Sequence, residues 1–489
     1  MPFIQQEDIP NEQLTELLES AFEDNQHAFL NGGSFSINER SDYFTYCVFH
    51  SLSFLKNGGI LSVITSNAWL GKEYGIQFKK FVLDNFHIKY LVRSSAEHWF
   101  KDSKVSTIYA VFQKGETNEQ TKFITVNSKL EELFEQENEI DRIQQIEDFY
   151  SDIDYCDDAR NKTWKKDDTF ENVFHKVDGS IDVSIVSKSN LAESLERQDN
   201  WLTYFISPNL FGKVEEYLTS LYPDFINAFR GERTGWNPMF IIPSTKIDEY
   251  GIEEDFLVPY VKSPSELNQI EFSGNYSHYL FVCDLPMDDL RNNYPGAYNW
   301  IQRFENQMNT NQTKTIPEAC ANHSPYWYSL NPKSANIITS INPYERHFFC
   351  YSKQPFTIDQ RLAAINVNED YDVKLIAALL NSVITLLTIE MKGTSRNLGA
   401  LDLNANYFKN LKVLNPDLLS DQQAEDIINA FDPLTNRSID VIEDEVKRED
   451  RRNFDTVVLQ SFGIDTSILD SLYETLSTAV KDRVSMKDK

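Results

Sequence analysis

The sequence predicts an α/β sheet with crossover helices first, an α+β region with long irregular loops next, and helices at the end. Three observations carry that expectation. Helical and β-rich runs alternate between residues 41 and 114. The middle is dense in aromatics, Pro and Asn, with short apolar runs. From Ser420 onward apolar residues recur at helical spacing.

Asp42 to Lys56 places Phe44, Val48, Leu52 and Leu55 on one helical face, and Asn57-Gly58-Gly59 closes it. Ile60 to Ile64 is a short β-rich run of the kind buried in a sheet. Helix returns over Gly75 to Asn85, followed by strands over His87 to Arg93 and Val105 to Gln113. A doubly wound sheet needs about twice as many strands, so this one is expected to be incomplete. Its first domain is taken as residues 1–116. Residues 117–203 are acidic and polar, with short helical patterns over Leu130 to Phe149, and read as a connecting or inserted region. Residues 204–416 form the α+β domain, with strands at Phe240 to Ile242 and Tyr279 to Val282 and one strong helix, Asp372 to Lys392. Residues 417–489 form a helical region whose last two helices, Ile439 to Phe462 and Leu469 to Val484, are parted by Gly463.

With 46 Lys and Arg against 75 Asp and Glu, the net charge of the 489 residues is −29. On average such a surface repels phosphate, so any nucleic-acid contact must come from local basic patches or from a partner. The apolar content of 41% excludes global disorder. Five scattered cysteines without a C-x-x-C pair argue against a disulfide scaffold or zinc site and fit reduced thiols in a cytoplasm. The opening residues lack the basic start and apolar run of a signal peptide. Val373 to Met391 is interrupted by Lys374, Asn381, Ser382 and Glu390, which favours a core helix over a membrane span.

No phosphate-cradling G-x-x-x-x-G-K-[ST], H-E-x-x-H or G-x-S-x-G is present. Asp182 and Lys188 make at best a loose nuclease pattern. His87, His98, His323 and His347 are isolated, so no metal site is expected.

Several local patterns together carry a resemblance. They are Ser41-Asp42-Tyr43-Phe44, Leu55 to Ser66, Trp69-Leu70, Phe78 to Phe86, and Phe100 to Lys114 with its V-S-x-(apolar)₃-x-F-Q-K pattern. In order and spacing they resemble the second half of the catalytic domain of γ-class adenine-N6 DNA methyltransferases, the TaqI-like and type IIG enzymes. The resemblance implies an incomplete Rossmann-like methyltransferase sheet, S-adenosylmethionine as cofactor and duplex DNA as partner. In the family, N-P-P-[YF] is often followed by I-x-Q-E-D-I. This sequence opens Met1-Pro2-Phe3-Ile4-Gln5-Gln6-Glu7-Asp8-Ile9, so the Asn has no counterpart and the cofactor's F-x-G-x-G loop is absent. No catalytic set is complete. The resemblance implies that Phe112 and Phe3 stack on a flipped adenine and that Asp42 and Phe44 line the cofactor pocket. Helix capping is an equal account of Asp42, and a core position on a strand is the plain account of Phe112. Base stacking is worth roughly 1–3 kcal/mol, enough to hold an extruded base but not to transfer a methyl group.

Phe229 to Ile242 resembles the G-x-x-T-G-x-N-x-x-F-x-I opening of a TaqI-like target-recognition domain. Asn331-Pro-Lys333, Phe356 to Arg361 and Leu379 to Ser382 follow in the family's order, and the tail resembles its closing helices. Two glycine-flanked basic clusters are the DNA-contact candidates: Arg230, Arg233, Trp236 and Asn237, then Lys392, Arg396 and Asn397. The expected function is the C-terminal, specificity portion of a restriction-modification or phage-defence adenine methyltransferase that needs an N-terminal methyltransferase subunit. The alternatives are a non-catalytic DNA-binding or assembly module of a defence complex and an inert fragment.

Overall fold

A computed structural model describes residues 41–71, 74–97, 99–100, 107–115, 120–135, 138–167, 171–196, 200–205, 214–272, 274–395 and 400–484. Residues 392, 394, 395 and 482 are described through their backbone alone. Phe3, Arg396 and Asn397 lie outside the described residues. The chain forms two compact units. One comprises 1–216, 390–400 and 470–489, the other 217–389 and 401–469.

The first unit is built on a seven-stranded mixed sheet. Its strands are β1 (Ile60–Ser66), β2 (Phe86–Ser94), β3 (Thr107–Lys114), β4 (Thr121–Val126), β5 (Trp164–Lys166), β6 (Val173–Lys176) and β7 (Ile181–Val186). Their order is β1-β3-β2-β4-β7-β6-β5. Strands β1 and β2 both run antiparallel to β3, so they point the same way, and the helix Gly75–Asn85 crosses between them. That is the expected crossover, with one strand inserted. Beyond β2 the sheet departs from expectation. Only β2 and β4 pair in parallel, and β4, β7, β6 and β5 follow as an antiparallel series. The acidic stretch read as a connector is therefore half of the sheet. Its strands β4 and β7 are buried along nearly their whole length, with only Lys122 and Asp182 partly exposed and with Thr121, Thr125 and Ser184 buried among the apolar residues, as in a sheet covered on both faces.

Phe44, Phe49, Trp69, Phe81, Phe112, Phe123 and Trp201 are fully buried in this unit's main core. Each such side chain stabilises the unit by about 1.5–3 kcal/mol relative to exposure. Lys114 ends β3 with a structural task. Its buried ammonium donates to the carbonyls of Leu52 at 2.9 Å and Leu55 at 2.8 Å, where the helix Tyr43–Ser51 and its following turn run out of partners. Among the described residues β1 pairs on one side only, with β3.

The second unit holds another seven-stranded sheet. After β8 (Leu218–Ser220), which pairs with Lys412–Leu414, come β9 (Ile226–Arg230), β10 (Ile241–Pro243), β11 (Leu257–Val261), β12 (His278–Phe281), β13 (Ala335–Ser340), β14 (Cys350–Ile358) and β15 (Leu362–Val367). The order is β10-β12-β11-β14-β13-β15-β9. The single helix expected over Asp372 to Lys392 is two, α1 (Val373–Asn381) and α2 (Val383–Lys392), bent by 57°. Ser382 is extended at the break, and the buried Asp455 carboxylate accepts the Val383 N–H at 2.8 Å. That tertiary partner supplies what a continuous helix would have supplied. Among the described residues no single helix is long and apolar enough to cross a membrane. The expected C-terminal region is also divided. The helices Asp421–Thr435 and Glu449–Ser461 belong to the second unit, whereas residues from Asp470 belong to the first.

Candidate nucleic-acid interface

At one end of the second sheet, β9 finishes at Arg230 beside the turn Asp359-Gln360-Arg361 that joins β14 to β15. Arg230 is exposed and its Nε donates to the Gln360 carbonyl at 2.6 Å. The next residue must be glycine: a Cβ on Gly231 would lie 2.2 Å from the Asp359 carbonyl oxygen and 2.5 Å from that of Ile358. The Glu232 N–H then donates to the Ile358 carbonyl at 2.7 Å, so the loop is laid onto the turn by backbone contacts. Asp359 is buried and accepts from the Tyr260 hydroxyl at 3.0 Å and from Arg361 Nε at 2.8 Å. Arg361 also donates from Nη2 to the Lys262 carbonyl at 2.7 Å, which leaves its guanidinium fixed yet half exposed. Lys333 is exposed, with its ammonium 5.6 Å from the centre of the Phe229 ring.

Arg230, Lys333 and Arg361 therefore gather around one sheet end with the exposed Arg233 in the adjoining loop. The acid in that loop, Glu232, has its carboxyl pushed up by burial, against the pull of the Arg233 N–H and of Lys333. His278, 3.2 Å from Lys262 Nζ, is held down by burial and by that ammonium. The chemistry offered here is a cluster of exposed cations, with Arg230 and Arg361 fixed by backbone carbonyls and Arg361 also paired with the buried Asp359, and such donors suit phosphate oxygens.

The four residues expected in this loop take different roles. Arg230 and Arg233 face solvent. Gly235, with φ +71°, seats the loop against Cys320 and His323, and a Cβ there would stand 3.3 Å from Cys320 Sγ. Trp236 packs half-buried against the core beneath. Its ring thus packs on the core on one side and stays partly exposed on the other. Asn237 is exposed, but its Oδ1 accepts from the Thr234 hydroxyl at 2.5 Å and opens the turn Asn237–Phe240. Of the second cluster, Lys392 ends α2 within the other unit, and Arg396 and Asn397 are outside the described residues.

In the first unit the aromatic assignment needs correction. Phe112 is 0% exposed, between Leu61 and Ile88 in register and 5.7 Å from the Phe86 ring centre, so it packs and presents no face to a base. Phe100, which opens the same stretch of sequence, is 36% exposed on the segment linking β2 and β3. Phe44 is likewise a core residue, edge-on to Phe78 at 5.6 Å. Asp42 stands at the N-cap position of its helix, but its side chain makes no cap bond. It accepts instead from the Tyr74 hydroxyl at 2.7 Å. The Tyr74 hydroxyl is pushed up by burial and by that carboxylate. Among the described residues no group of three or more His, Cys, Asp or Glu side chains is arranged to hold a metal.

Residues 2–100 match the family model described as Eco57I restriction-modification methylase. The type II methyltransferase M.BstVI of Geobacillus stearothermophilus is 20% identical over 412 residues, covering 81% of this chain. The chain spans 65% of that relative's length. Two solved structures are similar over 98% of the chain: the type IIG restriction endonuclease BpuSI (12% identity, TM-score 0.46, 53% of its length) and the type IIL restriction-modification enzyme MmeI in complex with DNA (11%, 0.49, 56%). In sequence the chain is thus restriction-modification methyltransferase-like.

Three residues of the basic sheet end were missed from sequence: Lys262, Lys333 and Arg361. The last two lie in stretches that carry the resemblance, which was the available signal. Their convergence with Arg230 depends on β15 lying beside β9.

Proposed function

We propose that this chain is the DNA-specificity portion of an adenine-N6 DNA methyltransferase of restriction-modification type, gripping duplex DNA through the basic end of the second unit's sheet. The observation that carries the reading is the convergence of Arg230, Lys333 and Arg361, with Arg233 adjoining, in a chain of net charge −29. Methyl transfer needs a cofactor seat, supplied by an N-terminal methyltransferase half on the same or a separate polypeptide. In this reading β1-β3-β2 is the closing part of a Rossmann-like sheet, and the outer edge of β1 takes the strands of that half. The flipped adenine is stacked by Phe100, whose exposure allows it, in place of Phe112.

The test is fluorescence anisotropy of the full chain with a labelled duplex across a salt series. Arg230→Ala, Arg233→Ala and Arg361→Ala should each weaken binding for all sequences and lower the salt slope by about one. Unchanged affinity and slope in all three would remove the reading. Titration calorimetry of this chain with S-adenosylmethionine should show no binding, and methylation of duplex DNA should require the N-terminal half. Sequence-selective binding with no methylation in its presence would favour a non-catalytic DNA-binding module.

A further inference from the structure

The segment Gln307 to Ile316 forms a small two-stranded ribbon at the surface of the second unit. Met308 and Thr315 bridge in antiparallel fashion, the Ile316 N–H donates to the Gln307 carbonyl at 2.8 Å, and the Asn309 N–H to the Lys314 carbonyl at 2.8 Å. Asn309 braces it from inside: its Oδ1 accepts the Thr313 N–H at 2.9 Å and its Nδ2 donates to the Thr313 hydroxyl at 3.0 Å. The tip, Thr310 to Lys314, is wholly exposed and is composed of Thr, Asn, Gln and Lys. The Asn311 side chain makes no hydrogen bond to the described residues, and that of Gln312 makes a long one, 3.4 Å, to the Asn309 carbonyl.

Two further observations bear on the tip. The ribbon leads through the capped turn Ile316–Ala319 into Cys320 and His323, the residues against which Gly235 of the basic loop is seated. It is therefore rooted beside the loop assigned to DNA. Gln312 also has φ +53°, a left-handed conformation that glycine or asparagine adopts more readily. The turn therefore holds a glutamine where glycine would be less strained, with its carboxamide carried at the exposed tip.

We propose that the ribbon Gln307–Ile316 enters the major groove and that Gln312 and Asn311 read base edges, making it a specificity-determining element of this chain. The groove admits a two-stranded ribbon, and a carboxamide pairs in two-pronged fashion with the N6 and N7 edge of adenine. Lys314, exposed at the same tip, reaches phosphate or guanine. The inference rests on the DNA-binding reading and adds which element carries the sequence information.

Full-length wild type, Gln312→Gly and the double variant Asn311→Ala/Gln312→Gly are each incubated with a pool of duplexes randomised at the centre, and the bound fraction is sequenced. Gln312→Gly relaxes the turn, so thermal melting should show it at least as stable as wild type. The expected result is that wild type enriches a sequence, that both variants still bind the unselected pool with wild-type affinity, and that their preference for the enriched sequence falls roughly tenfold or more. Variants that enrich the same sequence as strongly as wild type would overturn the inference and leave DNA binding standing. A wild type that binds the pool without enriching any sequence would do the same. A wild type that fails to bind the pool at low salt would overturn the DNA-binding reading itself, and the ribbon's role with it.

Discussion

Arg483 and Glu390 form a two-pronged ion pair, Nε to Oε2 at 2.8 Å and Nη2 to Oε1 at 2.7 Å, in which the side chains are only 6% and 3% exposed. The pair ties the end of α2 to the last helix, Leu469–Val484, inside the first unit. Removing one member strands the other charge away from water. Arg483→Ala should therefore destabilise the protein by about 3–5 kcal/mol, whereas the double change Glu390→Leu/Arg483→Met should cost far less. Urea denaturation of the three proteins checks this, and equal losses for single and double variants would contradict it.

His175 lies between two carboxylates, Nδ1 2.6 Å from Asp182 and Nε2 2.8 Å from Asp167. The bond to Asp182 raises its pKa from 6.5 to about 9, burial opposes the rise, and Asp167 adds to it. A raised folded pKa means that the ring's stabilisation is complete below pH 6.5 and is lost as the pH climbs through about 9. The group is partly exposed, so the effect is modest. The gap in melting temperature between wild type and His175→Gln should be present at about pH 6 and close by about pH 10. A gap that widens with pH would rule the account out.

The two aromatics of the late stretch should separate cleanly. Phe112→Ala opens a cavity in the core and should cost about 3–5 kcal/mol. Phe100→Ala should leave the melting temperature nearly unchanged yet reduce the fluorescence rise of a 2-aminopurine placed at the target base, measured with the N-terminal half present. An unchanged 2-aminopurine signal in Phe100→Ala would remove that residue from the base site.

Gly231→Ala drives a methyl into the Asp359 and Ile358 carbonyls, which are backbone and cannot swing aside. It should cost about 1–3 kcal/mol in stability. It should also weaken duplex binding, because Arg230 and Arg233 ride on the displaced loop. Wild-type anisotropy in this variant would show that the loop does not set the interface.

What could be read from sequence follows from how locally each feature is encoded. Gly75–Asn85 emerged with its expected bounds, because aromatic and apolar residues at helical spacing are a property of the segment itself. Strands β4 to β7 did not, because they are short apolar runs carrying buried Thr and Ser within an acidic stretch, with neither helical spacing nor a clean alternation to mark them. The break at Ser382 was invisible because its cause, Asp455, is far along the chain. Arg230 and Arg233 stood out as basic residues in a glycine-containing loop. Arg361 and Lys333 needed the strand order, which no local pattern specifies. Phe112 shows the opposite error, since its alternating neighbours already pointed inward and the resemblance outweighed them.

The chain passes between its two units four times, at 216/217, 389/390, 400/401 and 469/470. A chimaera built to exchange recognition with a relative cannot use one junction: a graft starting at 217 and running to the end would import residues 390–400 and 470–489 as well. Glu390 and Arg483 would travel together and keep their bond, but the foreign helices would have to settle into a host core that never evolved with them. Transplanting 217–389 and 401–469 while retaining the host's two returning segments is the cut that respects the architecture.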